Sequence, residues 1–353
     1  MKLSIISFTE NGMRLSKRIA EVFPEADPAL FSKHRDSADG DLRVRFVESS
    51  VGEWAGAQMR ERNALLFIGA CGIAVRAVAP YLTDKLHDSP VLVMDERGKF
   101  IIPILSGHVG GANELALVLA EKTGAGPVIT TATDIHGTFA VDVFAKKNSL
   151  WIENKEGIAR VSSRALAGKP VRISVEPGHL DMEEEPPEEV LLLPYPPGLP
   201  VDAAVVSSKE GIDAALFLRP KEYVIGMGCK KGKEPDLVEA LIRQTLDALH
   251  ISRGQIFALA SITQKKEEPG LVLWCRKEGV PFFTYTAEEL KGVQGGFQHS
   301  SFVKEKMGVD NVCERAAVKA CGPGGKLVYG KCARDGMTIA VAKREWKVTF
   351  HEK

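Results

Sequence analysis

The sequence predicts an α/β protein. We expect a doubly wound, mostly parallel N-terminal domain (1–136), a small α/β middle domain (137–222) and a separate α/β C-terminal domain (223–353). Three observations predict it. The chain has 353 residues, more than one ordinary domain holds. Its strand-like apolar runs are short and continuous rather than alternating, as in sheets covered on both faces. Those runs alternate with stretches of helical spacing, the pattern of strand–helix–strand units.

The elements follow in order. KLSIISF (2–8) reads as a buried strand and GMRLSKRIAEVF as a helix. ALLFIGA (64–70) is a second strand, and CGIAVRAVAPYL after it a helix. VLVMDE and FIIPILS are two more strands, GANELALVLAEKTG is a helix stopped by Gly124, and PVITT is the next strand. From Gly137 the texture changes to two helix patterns and a strand ending at VRISVEPG. DMEEEPPEEVLLLPYPPGLP, dense in acid and proline, reads as an irregular surface segment around one short strand. YVIGMG then leads to a helix beginning near Pro235, where proline suits the first turn. IFALASI, PFFTY, LVYGKC and MTIAVAKR supply the remaining strands.

Composition excludes several classes. Forty-six basic residues balance forty-six acidic ones, so bulk charge points to neither nucleic acid nor a membrane surface, and any basic site is local. No apolar run approaches the ~18 residues of a membrane span. The first residues, MKLSIISFTENGMRLSKR, lack a secretion-signal pattern. Six scattered cysteines with no C-x-x-C pair argue against a zinc site or disulfide framework and for a reducing cytoplasm.

Three glycine-rich strand-to-helix turns carry the candidate chemistry: GACGIA (Gly69, Gly72), SGHVGGANE (Gly107, Gly110, Gly111) and GMGCKKGKEPD (Gly226, Gly228, Gly232). Glycine lets backbone N–H groups approach a ligand, and a helix start offers them to an anion. Neither a dinucleotide fingerprint nor a P-loop is present. Each turn alone is equally ordinary turn chemistry. Three together at the carboxyl ends of strands point to an anionic ligand. Lys230 and Lys231, with Lys233 nearby, add charge at one turn for carboxylate or phosphate, and Arg76 lies one helical turn beyond another. His108 is the candidate for proton transfer, because imidazole takes and returns a proton near neutral pH. The N–H groups of Gly110 and Gly111 are candidates to hold an oxyanion. Asn113 and Glu114 lie in the following first helical turn, and TTATDIHG brings Thr131, Asp134 and His136 to the end of the next strand. SGHVGG is not the G-x-S-x-G elbow, which argues against a serine hydrolase.

At this point the chain resembles the cobalt-precorrin-5A hydrolases of anaerobic cobalamin biosynthesis. The resemblance rests on GACGIAVRAVAPYLTDKLHDSPVLVMDERGKFIIPILSGHVGGANELA and VITTATD in the first domain. In the last it rests on IGMGCKKG, SITQKKEEPGL and MGVDNVCERAAV. One departure is Lys230 and Lys231 where arginines are more usual, which keeps charge but loses the bidentate fork. The resemblance implies opening of the δ-lactone of cobalt-precorrin-5A and loss of acetaldehyde to give cobalt-precorrin-5B. It implies no cofactor of the protein's own, the cobalt arriving inside the substrate. Expected catalytic residues are His108, Glu114 and Asp134, with Asp84 an alternative for the second proton transfer. Expected substrate contacts are Gly69, Gly72, Arg76, Gly107, Gly110, Gly111, Asn113, Thr131, Gly226, Gly228, Lys230 and Lys231. The expected partner is a cobalt-corrinoid intermediate, with no nucleic acid and no membrane; a homodimer stays open. A non-catalytic corrinoid carrier and a sugar-phosphate or nucleotide enzyme are the competing readings.

Overall fold

The computed structural model describes residues 2–34, 43–84, 88–131, 138–181, 185–299, 305 and 308–350. The chain forms two compact units, Met1–Thr138 and Phe139–Lys353.

The first unit runs β1 (Leu3–Ser7), α1 (Glu10–Val22), β2 (Ala29–Ser32), β3 (Val44–Phe46), α2 (Val51–Arg60) and β4 (Ala64–Ile68). It continues with α3 (Cys71–Val78), β5 (Val91–Met94), β6 (Phe100–Leu105), α4 (Ala112–Thr123) and β7 (Gly126–Pro127). Its seven strands lie in the order β3-β2-β1-β4-β5-β6-β7. β1 and β4 are parallel neighbours, and the order in which strands are added reverses between them, the switch point of a doubly wound sheet. Alternate residues of the central strands feed opposite faces. Ile5, Leu66, Ile68 and Met94 join Met13, Ile19 and Leu119 of α1 and α4. Ile6, Leu65, Phe67 and Val93 join Trp54 and Val78 of α2 and α3. Both faces are dry, which is why the strands read as unbroken apolar runs.

One pairing breaks the parallel pattern. β6 runs antiparallel to β5, with Val91 opposite Leu105 and Met94 opposite Ile101. Residues 95–99 are too few for a crossover and form a hairpin instead. The Asp95 carboxylate accepts from Arg97 N (2.9 Å) and Phe100 N (2.7 Å), and Gly98 takes the left-handed turn position at φ 66°. The expected PVITT strand shrinks to Gly126–Pro127. Val128 N still donates to Ile101 O, but the next rung of a parallel ladder needs the N–H of residue 103, and Pro103 has none.

The second unit holds two sheets. Its first part is α5 (Val141–Lys147), β8 (Leu150–Ile152), α6 (Glu156–Leu166), β9 (Val171–Val175), β10 (Val190–Leu193), β11 (Val201–Val205) and β12 (Ala214–Pro220). These strands pair in the order β10-β9-β11-β12-β8, with only β8 antiparallel. β10 is the short strand expected inside the acid–proline segment, of which residues 182–184 lie outside the described residues. β8 and β11 add to the expected elements. The second part is β13 (Tyr223–Cys229), α7 (Pro235–Ala248), β14 (Ile256–Ile262), α8 (Pro269–Glu278), β15 (Phe282–Tyr285), α9 (Ala287–Lys291), α10 (Cys313–Cys321), β16 (Lys326–Arg334) and β17 (Met337–Lys343). Here the order is β15-β14-β13-β17-β16, with β17 antiparallel to both neighbours.

A C-terminal segment ties the two sheets of this unit together. After β17 the chain returns to the middle sheet, burying Trp346 and Val348 to 5% and 0% exposure. Trp346 Nε1 donates to Glu222 Oε2 (3.1 Å), the His179 ring stacks on Trp346 at 3.7 Å, and Thr349 N donates to Asn148 Oδ1 (2.8 Å). Phe350 stacks on Phe144 at 4.8 Å.

Candidate functional site

His108 occupies the turn between β6 and α4 and is half-buried. The turn closes on itself. Gly111 N donates to His108 O (2.9 Å), Ala112 N to Ser106 O (3.0 Å) and Asn113 N to Gly107 O (3.0 Å). Gly111 caps α4 in the left-handed region at φ 88°, with no capping side chain. The buried Asn113 side chain donates through Nδ2 to Thr131 Oγ1 (3.0 Å), fastening the chain after β7 to the start of α4. The start of α4 thus brings Asn113 and Thr131 into contact just after the His108 turn.

The glycines also have a packing reason. A Cβ on Gly107 would stand 2.7 Å from Asn113 Oδ1, and one on Gly110 would stand 2.2 Å from Ser106 Cβ. Their bare Cα atoms let the turn fold tightly on its own side chains. The Gly111 N–H, expected to face an oxyanion, is already engaged by the His108 carbonyl. Glu114 sits exposed in the first turn of α4. Asp134 and His136 lie outside the described residues.

Sequence reasoning passed over two hydroxyls here. Ser106 follows β6 with φ 56°, a left-handed conformation unusual for a residue with a side chain. Its Oγ is buried without a hydrogen-bond partner. Ser89, 4% exposed, precedes β5 and also has a buried, unpartnered Oγ. Because Val91 pairs with Leu105, the start of β5 and the end of β6 share one end of the sheet. Asp84 belongs to the segment approaching that end, where Thr83 N and Oγ1 both donate to Asp88 Oδ1 (2.8 and 2.7 Å).

The GACG turn lies at the other end of the same sheet, so it and the SGHVGG turn, each at the carboxyl end of its own strand, do not share one rim. Gly69 follows β4, whereas Leu105 aligns through Val91 with Leu65 near the start of β4. Four residues of strand separate them, ~13 Å along the sheet. The reversal of β6 is the cause. At the GACG end, Thr9 caps α1 by accepting from Gly12 N (3.1 Å) and donates to Glu96 Oε1 (2.6 Å). Arg76 is exposed, and its Nη1 donates to Gly72 O (3.3 Å) within α3. This is the crevice where doubly wound folds usually bind ligands.

In the second unit the GMGCKKG turn follows β13. Lys230 and Lys231 are exposed there and open to an anion. Gly226 is a packing glycine, since a Cβ would stand 1.9 Å from Cys313 O of α10. A Cβ on Gly228 would stand 2.8 Å from Thr338 Oγ1. The turn's own donors are taken from within. Gly232 N and Lys233 N donate to Glu268 Oε1 (2.7 and 3.0 Å), while Lys265 Nζ donates to Glu268 Oε2 (2.8 Å). Burial pushes the Glu268 carboxyl upward, but the Lys265 ammonium and the two N–H groups outweigh it and hold it below the usual carboxylate range. Burial also raises the neighbouring Cys229 thiol, against the Lys265 charge.

A second buried carboxylate organises the same sheet. Glu314 Oε2 accepts from Gln298 N (2.8 Å) and Asn311 Nδ2 (2.6 Å), and Oε1 accepts from Lys331 N (2.6 Å). The last donor lies in a bulge of β16, whose register shifts between Tyr329 and Cys332. SITQKKEEPGL and MGVDNVCERAAV contain these carboxylates, but their roles needed the fold.

Residues 53–134 match the cobalamin synthesis G N-terminal family, and residues 223–342 match the cobalamin synthesis G C-terminus family. The chain is 30% identical over 353 residues to a cobalt-precorrin-5A hydrolase of Priestia megaterium, covering 96% of this chain and 94% of that one. It is 32% identical over 328 residues to a cobalt-precorrin-5A hydrolase of Salmonella typhimurium, covering 89% and 90%. A solved cobalamin biosynthesis protein G homolog from Sulfolobus solfataricus aligns over 98% of this chain and 97% of that one, at 22% identity and a TM-score of 0.39.

Proposed function

The chain belongs to the cobalt-precorrin-5A hydrolase family, and from that premise we propose that it opens the δ-lactone of cobalt-precorrin-5A and releases acetaldehyde to give cobalt-precorrin-5B. The observation that carries the reading is identity of 30–32% to such enzymes across nearly the whole chain. The cobalt belongs to the substrate. No helix among the described residues is long and apolar enough to cross a membrane, and we place the enzyme in the cytoplasm.

In this mechanism His108 takes a proton from water as the water attacks the lactone carbonyl. The tetrahedral oxyanion collapses and the C–O bond of the ring breaks. His108 returns its proton to the departing alkoxide. A retro-aldol-like cleavage then expels the former meso carbon with its methyl group as acetaldehyde, and the macrocycle keeps the electron pair. Glu114 assists His108 in the first step, and Asp134 or Asp84 moves the second proton. Lys230 and Lys231 attract the acetate and propionate arms of the substrate.

The test is direct. Purified protein incubated with cobalt-precorrin-5A should release acetaldehyde in equal amount to the lactone consumed. Unchanged lactone and no acetaldehyde would overturn the function.

A further inference from the structure

We propose that the Ser106 hydroxyl donates the hydrogen bond that stabilises the oxyanion during lactone opening. This rests on the proposed function and on His108 as its base.

The inference begins with an inventory of donors. Lactone attack places negative charge on the carbonyl oxygen, and the site needs hydrogen-bond donors that can reach it. In the His108 turn, the N–H groups of Gly111, Ala112 and Asn113 all bond to carbonyls of the turn itself, so of the two backbone donors expected only the Gly110 N–H is left to act beside a side chain. The Asn113 amide is committed to Thr131. Ser106 Oγ is different. It is buried with no partner, and it stands two residues from His108.

Two further observations show that this hydroxyl is not a packing accident. Ser106 holds a left-handed backbone at φ 56°, which glycine would adopt more easily in a turn already rich in glycine. The conformation brings Ser106 Cβ against Gly110, where no side chain fits. Ser89 leaves a second buried, unpartnered hydroxyl at the same end of the sheet. Buried polar groups are nearly always bonded, so two unmet hydroxyls at one end point to a polar group that arrives with a ligand. Ser106 as a residue is only half-buried. Rotation about χ1 can therefore bring Oγ to the surface, and it breaks no hydrogen bond in doing so.

The test is Ser106→Gly, which removes the hydroxyl and relaxes the backbone. We expect kcat to fall by about 10²–10³, the worth of one oxyanion donor, with KM within a few-fold. The melting temperature should hold or rise, because glycine accepts positive φ without strain. A purely structural Ser106 predicts unchanged kcat, and kcat within about threefold of wild type would overturn the proposal. A macrocycle adduct on Ser106 in acid-quenched wild-type enzyme would overturn it in favour of a nucleophilic role. If His108→Asn is inactive while Ser106→Gly turns over normally, the base survives and the donor role does not. Wild-type protein releasing no acetaldehyde would remove the function and this proposal together.

Discussion

His108 is held in its turn through its carbonyl, which accepts from Gly111 N. Asparagine keeps a polar side chain there but takes no proton near neutral pH. His108→Asn should therefore lower acetaldehyde release by about 10²–10⁴ while stability stays near wild type. Turnover at the wild-type rate would make His108 structural. The cysteines allow a separate check. Cys71 is exposed at the start of α3, whereas burial pushes the Cys275 and Cys321 thiols up to about 12 and Cys313 to about 11. Only the thiolate reacts, so in native protein at pH 8 the exposed Cys71 should react fastest, ahead of the half-buried Cys229 and Cys332. Cys71→Ser should remove that fastest phase; its persistence would refute the assignment. At this scale residue types were legible and their partners were not. His108 stands out in SGHVGG as the one ionisable side chain among glycines. Ser106 does not, because its conformation and its unmet hydroxyl exist only in the folded turn.

Among elements, α8 and the GMGCKKG turn are joined by a carboxylate rather than by apolar packing alone. Glu268 precedes α8 and fills the site that an external anion would occupy. Lys265 and Glu268 are almost wholly buried, so Glu268→Gln leaves an uncompensated buried ammonium, at a cost of about 3–5 kcal/mol. Urea unfolding at pH 7 measures this. The pH dependence has a definite sign. The folded pKa of Glu268 is depressed, so its contribution is complete above the ordinary glutamate value, about 4.3. It is lost as pH falls below that value and through the folded one. The gap between wild type and variant should hold from pH 6 to 8 and shrink below about pH 4; a constant gap would contradict the ion pair. Lys230 and Lys231 stand outside this arrangement. Changing both to alanine should raise KM, weaken its salt dependence and leave kcat nearly unchanged. An unaltered KM at low salt would end their assignment. Most elements were legible because buried parallel strands announce themselves as apolar runs. The direction of β6 was readable from the five residues before it, but its consequence for the His108 turn needed the register. β8, three residues long, carries no period to read.

At the scale of the molecule, the chain builds three sheets in two compact units. Alternating apolar runs and helices foretold sheets of this kind. The C-terminal segment did not announce its destination, because EWKVTF contains too few apolar residues to show a period. Trp346 is its anchor. Trp346→Ala should cost about 3–5 kcal/mol through the cavity and through Glu222, which loses a buried donor. Chemical denaturation should show the loss in the second unit, with the first unit's transition unmoved. Equal destabilisation of both transitions would contradict the division.

That segment also orders the life of the chain during synthesis. Asn148, His179 and Glu222 emerge from the ribosome long before Trp346 and Thr349, their partners. The first unit can fold as a nascent domain, whereas the second stays unfinished until Trp346 and Thr349 have emerged. A stalled or prematurely terminated chain thus presents an open middle sheet to proteases and chaperones. Trp346 to Phe350 close the second unit only after the residues they dock on have been made.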